Sequence, residues 1–199
     1  MTMILPSILH EFRLATQMSC PTPGTSLRLV TDRLSGQQAL AADWKDLGHV
    51  CAWLNRNRRS GAYLLVGHQD GRRRVRVGEG VKLWRRLPDH RADASLGFVD
   101  EIYLLLSTGF NKSATVYLQE QLSEIVEGEA EVDWHKGCRH LQDFPLSEED
   151  RKMLDLALLL GLNLLNAAGL RLLRPEQSRL AGQVMALLTT PGQLARARA

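Results

Sequence analysis

The chain has 199 residues, 44% of them apolar, and a net charge of +3, which is long enough to bury a real core and excludes wholesale disorder. The charge is uneven: positions 56–91 hold eleven Lys/Arg against Asp70, Glu79 and Asp89, a local excess of +8 that suits a phosphate backbone or a plain solvated face. Three widely spaced cysteines, Cys20, Cys51 and Cys138, with no CxxC pair, argue against a disulfide framework and favour a reducing, cytoplasmic setting; the opening MTMILPSILHEFR, with no basic n-region and a short apolar stretch, does not read as a signal peptide.

Residues 1 to about 40 are weakly patterned, with a loop at Pro21, Pro23 and Gly24 and a short strand at 27–30. Ala42, Leu47, Val50, Cys51 and Leu54 predict a helix over 41–55. Two apolar runs, 63–66 and 75–77, flank Asp70-Gly71 and predict a hairpin, since Asp-Gly supplies the positive φ angles a two-residue turn needs. Alternation puts Arg73, Val75 and Val77 on one face of the second strand and Arg74 and Arg76 on the other. A short helix is expected over 79–87, with Leu83 and Leu87 inward and Pro88 limiting its continuation. Residues 99–106 read as a third strand. Asn111 or Ser113 then caps a helix through 126, with apolar positions 114, 117, 118, 122 and 125.

Residues 127–138 read as a linker. Ser147-Glu-Glu-Asp opens another helix with acids at its positive end, running to 165 with a break or bend near Gly161. The most apolar stretch, 154–173, is interrupted by Asp155, Asn163, Asn166 and Arg171, so it predicts a packed helix and no membrane partner. A last helix over 175–188 and a frayed tail from Pro191 complete the chain. The expected fold is α/β: a small mixed sheet of about three strands flanked by helices, with a helical C-terminal extension. It divides into an N-terminal segment with a helix (1–55), a core domain (56–130), and a linker with the extension (131–199).

The order hairpin, helix, strand, helix carries recognisable residues at its joints. Gly61-Ala62-Tyr63 and Arg76-Val77-Gly78 stand as two signature tripeptides; Arg86 lies ten residues beyond Arg76, and His90 four further on. The run from Phe110 to Leu122 follows on a helix. Together, from about Ser60 to Val126, these residues resemble the GIY-YIG nuclease superfamily. Positions 147–175 more loosely resemble a helical extension of some bacterial members. The resemblance implies cleavage of DNA phosphodiester bonds with a divalent metal, usually Mg²⁺, in restriction, defence or mobile-element biology. Tyr63, Arg86 and His90 then stand as catalytic residues. Tyrosine helps to deprotonate or orient the attacking water, and arginine neutralises charge gathering on the phosphate, which its planar fork grips with two hydrogen bonds. Arg74, Arg76, Lys82 and Arg85 stand as DNA-binding cations.

Two positions depart from the family pattern. Arg76 replaces the second signature tyrosine and cannot act as a base. Gln119 stands in Tyr117-Leu118-Gln119 where the family carries its metal-binding glutamate, and a neutral amide is a poor Mg²⁺ ligand. Helical spacing puts Gln119 at the edge of the apolar face and Glu120 nearly opposite the core, beside Glu124. The alternatives are a local slip that brings in Glu120, substitution by Glu79 or another acid, or a catalytically weakened domain that binds DNA or serves as an assembly subunit. In that last case the C-terminal helices dock onto a second copy or a larger protein. Asp133, His135, Cys138 and His140 lie close enough for zinc, although loop residues without a second Cys pair read more simply as unliganded. Trp84 beside Arg85 could stack on a base, but such a tryptophan more commonly packs on a core.

Overall fold

A computed structural model describes residues 16–127, 132–135 and 145–171. Seven strands form one sheet: β1 (Thr16–Ser19), β2 (Arg28–Asp32), β3 (Gln38–Asp43), β4 (Ser60–Gln69), β5 (Arg72–Gly80), β6 (Val99–Ser107) and β7 (Val132–His135). Their spatial order is β1-β2-β3-β6-β4-β5-β7, antiparallel throughout except for the parallel β5–β7 pair. The mixed α/β class stands, and the three-stranded expectation is corrected to seven strands among the described residues.

The strand missed in the middle of the sheet is β3. Its run Gln-Ala-Leu-Ala-Ala-Asp lies between β2 and β6 and is buried on both faces, with Ala39 and Ala41 in one core and Leu40 and Ala42 in the other. A strand buried on both sides shows no polar alternation to read. The expected helix over 41–55 therefore begins later, as α1 (Leu47–Asn57), after a short 3-10 turn at Trp44–Asp46. The expected linker contains β7, which pairs with Arg73–Arg76 and covers part of an edge whose backbone groups would otherwise lack partners.

The β4–β5 hairpin closes as its sequence requires. Asp70 and Gly71 both take positive φ, 52° and 75°, between the cross-strand pair Gln69 and Arg72. Three more helices are described: α2 (Leu83–Arg91), α3 (Lys112–Glu127) and α4 (Glu148–Ala167). The side chain of Asn111 accepts from the Ala114 amide at the start of α3 (2.9 Å), and Ser147 accepts from the Asp150 amide at the start of α4 (3.0 Å).

The helices divide between the two faces. Leu47, Val50 and Leu54 of α1 and Leu83 and Leu87 of α2 share a core with Tyr63, Leu65, Ile102 and Leu104. Leu118, Leu122 and Val126 of α3 and Leu158, Leu162 and Leu165 of α4 share the other with Ala62, Leu64, Val75, Val77 and Leu105. The helix expected as a C-terminal extension thus covers the sheet itself. It runs unbroken through Gly161, where a Cβ would come within 2.5 Å of the Leu105 side chain. That glycine marks close packing rather than a bend. No helix among the described residues is long and apolar enough to cross a membrane. The helix expected over 175–188 and the tail beyond it lie outside the described residues.

Candidate functional site

Tyr63 lies within β4 with its side chain on the α1/α2 face, directly across from Gly78 of β5. A Cβ at Gly78 would stand 2.2 Å from both Cζ and the hydroxyl oxygen of Tyr63, so the ring lies across that glycine. Gly61 is held as tightly, since a Cβ there would meet the Leu105 carbonyl oxygen at 1.8 Å. These contacts give a steric reason for glycine in each of the two tripeptides.

The Tyr63 hydroxyl reaches α2. It lies 2.6 Å from His90 Nε2 and accepts a hydrogen bond from Arg86 Nε at 3.2 Å. Arg86 and His90 sit four residues apart, on one side of the helix. Two expectations about this helix are corrected. Glu79 and Gly80 belong to β5, and α2 continues past Pro88 to Arg91. Proline here removes one amide donor, while buried Leu83, Leu87 and His90 hold the helix on the core side.

Burial pushes the His90 imidazole down to about 4, and the Arg76 and Arg86 cations push the same way, against Asp93 and Asp89. His90 is therefore neutral near pH 7. With Nε2 as acceptor it accepts a hydrogen bond from the Tyr63 hydroxyl, while the tyrosine oxygen accepts from Arg86. Burial raises the Tyr63 hydroxyl above its ordinary range, and the Arg86 hydrogen bond opposes that rise. Tyr63 is 0% exposed, so its hydroxyl serves two protein partners and does not meet solvent. Its evident work is to hold Arg86 and His90 in place.

Other cations surround this centre. Arg76 is half-buried on the same side of β5, and Lys82 and Arg85 are exposed at the start of α2 and on it. Arg74 lies over the Phe98 ring, 5.3 Å from its centroid, and donates to Gln69 Oε1. Arg58, absent from the expected set, lies over Trp84 at 4.8 Å. Its position depends on a left-handed residue ending α1 (φ 50°), a feature that an arginine does not announce. Trp84 is half-buried against the core, in keeping with the packing reading.

The expected metal positions lie elsewhere. Gln119 is buried on α3, across the sheet from Tyr63, and Glu120 is half-buried on the same helix. Glu79 is also buried and faces α3, where Lys112 Nζ donates to one carboxylate oxygen and Thr115 Oγ1 to the other, the latter at 2.7 Å. Magnesium is commonly held by one or two carboxylates, with waters and substrate phosphate completing its octahedron. Glu79 is engaged with Lys112 and Thr115 of α3, and Gln119 offers a neutral amide. These residues do not fit a magnesium ion. Among the described residues no group of three His, Cys, Asp or Glu side chains is placed to hold a metal. Of the zinc-spaced set, Asp133 and His135 fall on β7, and Cys138 and His140 lie outside the described residues.

No protein-family model, curated protein or solved structure matches the chain.

Proposed function

We propose that this is a GIY-YIG-like domain that grips the phosphodiester backbone of DNA through its cationic α1/α2 face, and that binding rather than metal-dependent cleavage is its main work. The observation that carries the reading is the Arg86–Tyr63–His90 contact, in which a buried hydroxyl holds an arginine that reaches the surface. A buried hydroxyl that fixes Arg86 Nε pre-sets the guanidinium, so less side-chain freedom is lost when an anion arrives. Neutral His90 completes the hydroxyl's bonding without adding charge to a crowded cationic group. Arg76 adds positive potential beside it.

The second reading is a metal-dependent endonuclease. It is favoured by the meeting of Tyr63, Arg86 and His90 in one hydrogen-bonded group, and it requires Glu79 or Glu120 to leave its present neighbours for the opposite face. Incubation of supercoiled plasmid with Mg²⁺ or Mn²⁺, alongside a salt titration of duplex binding, separates the two. The binding reading expects steeply salt-dependent affinity, no nicking by the wild-type chain, and weaker binding by Arg86→Ala. Nicking that Arg86→Ala abolishes would establish the nuclease instead.

A further inference from the structure

The helix α4 is apolar on more than the side it buries. Leu158, Leu162 and Leu165 join the core beneath it. At about 100° per residue, Met153, Leu156 and Leu160 fall on the opposite side, and none of them is part of that core. Met153 is 66% exposed, and Leu156, Leu159 and Leu160 are half-buried. A helix that is apolar nearly all round suits a place between two layers, and the sheet supplies one of them. The outward positions Glu149, Met153, Leu156, Leu160, Asn163 and Ala167 are spaced 4-3-4-3-4. That spacing is the seam by which one helix packs along another.

We infer that this seam is where a second copy of the chain docks, with the two α4 helices antiparallel about a twofold axis between Leu156 and Leu160. The ends of the seam choose the orientation. Glu149 stands at one end, in an acidic first turn where Lys152 is already taken by Glu148, and exposed Arg171 lies just past the other end. A parallel pair would set Glu149 against itself. An antiparallel pair brings the acidic end of each helix to the Arg171 end of the other and opposes the two helix dipoles favourably. The same register sets Leu156 of one copy on Leu160 of the other, so the apolar middle is self-complementary, as a twofold interface requires. Met153 then meets Asn163, whose Nδ2 is already bonded to its own Leu159 carbonyl at 3.2 Å, which leaves only the amide oxygen to be met by water. Because α4 packs on one face of the sheet and α1 and α2 on the other, the dimer leaves the α1/α2 face of each copy open and turned away from its partner's. The inference does not depend on what those faces bind.

The test is light scattering of the full chain over a roughly hundredfold range of concentration, which should show a dimer that dissociates on dilution. Leu160→Lys sets like charges in the middle of the seam and is expected to weaken dimerisation about tenfold or more, while the melting temperature of the dilute chain stays near that of wild type. Leu34→Lys, at an 82% exposed position between β2 and β3, is expected to leave the dimer intact. Oxidation of mixed Met153→Cys and Asn163→Cys chains should give a disulfide between positions 153 and 163, located by peptide mass mapping. A disulfide formed instead between two Met153→Cys chains would mean parallel helices and overturn the arrangement. A dimer that Leu160→Lys leaves unchanged has its interface elsewhere and overturns the seam. A wild-type chain that stays monomeric throughout overturns the inference, and a melting temperature then lowered by Leu160→Lys would show that another part of the same chain covers α4.

Discussion

Buried polar groups occur on both faces of the sheet, but they end differently. On the α3/α4 face they close on one another: Glu79 takes Lys112 and Thr115, Ser123 donates to the Gln119 carbonyl at 2.7 Å, and Tyr117 donates to Asp155 at 2.6 Å. On the α1/α2 face buried Tyr63 and His90 join a hydrogen-bonded chain that ends in Arg86 at the surface. A closed polar set satisfies itself and fixes packing. Lys112 also reaches the surface, but its charge is met by the Glu79 carboxylate, whereas the Tyr63–His90 pair that directs Arg86 is neutral and cancels none of that cation's charge. This difference makes the α1/α2 face the better candidate for function, although Gln119 lies on the other.

The strongest way to break the comparison is at Gly78. Gly78→Ala would drive a methyl group into Tyr63, and we expect a loss of about 3 kcal/mol in denaturant unfolding together with loss of DNA binding. Unchanged stability would show that the ring does not lie across this glycine. Next comes acid. The folded-state His90 value of about 4 lies below the ordinary histidine value of 6.5, so the unfolded chain binds the extra proton first. The contribution of His90 to stability is complete above about pH 6.5 and is lost as pH falls towards 4, by about 2 kcal/mol. Thermal melts between pH 4 and 7 should show this slope in the wild type and a flatter one in His90→Gln.

Tyr63→Phe sharpens the comparison further. It leaves buried His90 Nε2 without its partner and frees Arg86 Nε, so a cost of about 1–2 kcal/mol should accompany severalfold weaker DNA binding. Thr115→Val is the matching change across the sheet. It removes one donor to Glu79 and should cost about 1 kcal/mol while leaving duplex affinity where it was. If Thr115→Val weakened DNA binding as much as Tyr63→Phe, the division between the faces would be wrong.

Local signals made much of the fold legible. Asp70-Gly71 specifies its turn through backbone angles alone, Asn111 and Ser147 cap their helices, and β6 stands out as an apolar run between polar ends. Non-local features were hidden. The strand at 38–43 is alanine-rich because neighbours press on both its faces, and in isolation that composition suits a helix. The strand at 132–135 is a strand because the edge of β5 is beside it. Gly161 looked like a helix breaker because its reason, Leu105, lies far away in sequence. For the site, family spacing singled out Tyr63, Arg86 and His90, and the structure places the three within hydrogen-bonding distance. Periodicity could not reveal that Glu79 faces α3, because residues 79–80 were read as helix when they continue a strand. Arg58 was invisible for want of any pattern linking it to Trp84.

One consequence follows from the place of β6. It pairs with β3 along one edge and with β4 along the other, yet it comes after both in the chain. While the protein is being made, β1–β3 and β4–β5 emerge as separate antiparallel pieces, each with an apolar face and an open edge. Neither can complete its sheet until residue 107 has cleared the ribosome exit. Closure is therefore a late event that joins distant parts of the nascent chain, a topology that slows folding. A translation product truncated before residue 99 would carry two unpaired edges and nothing to join them, which makes it a substrate for chaperones or for aggregation.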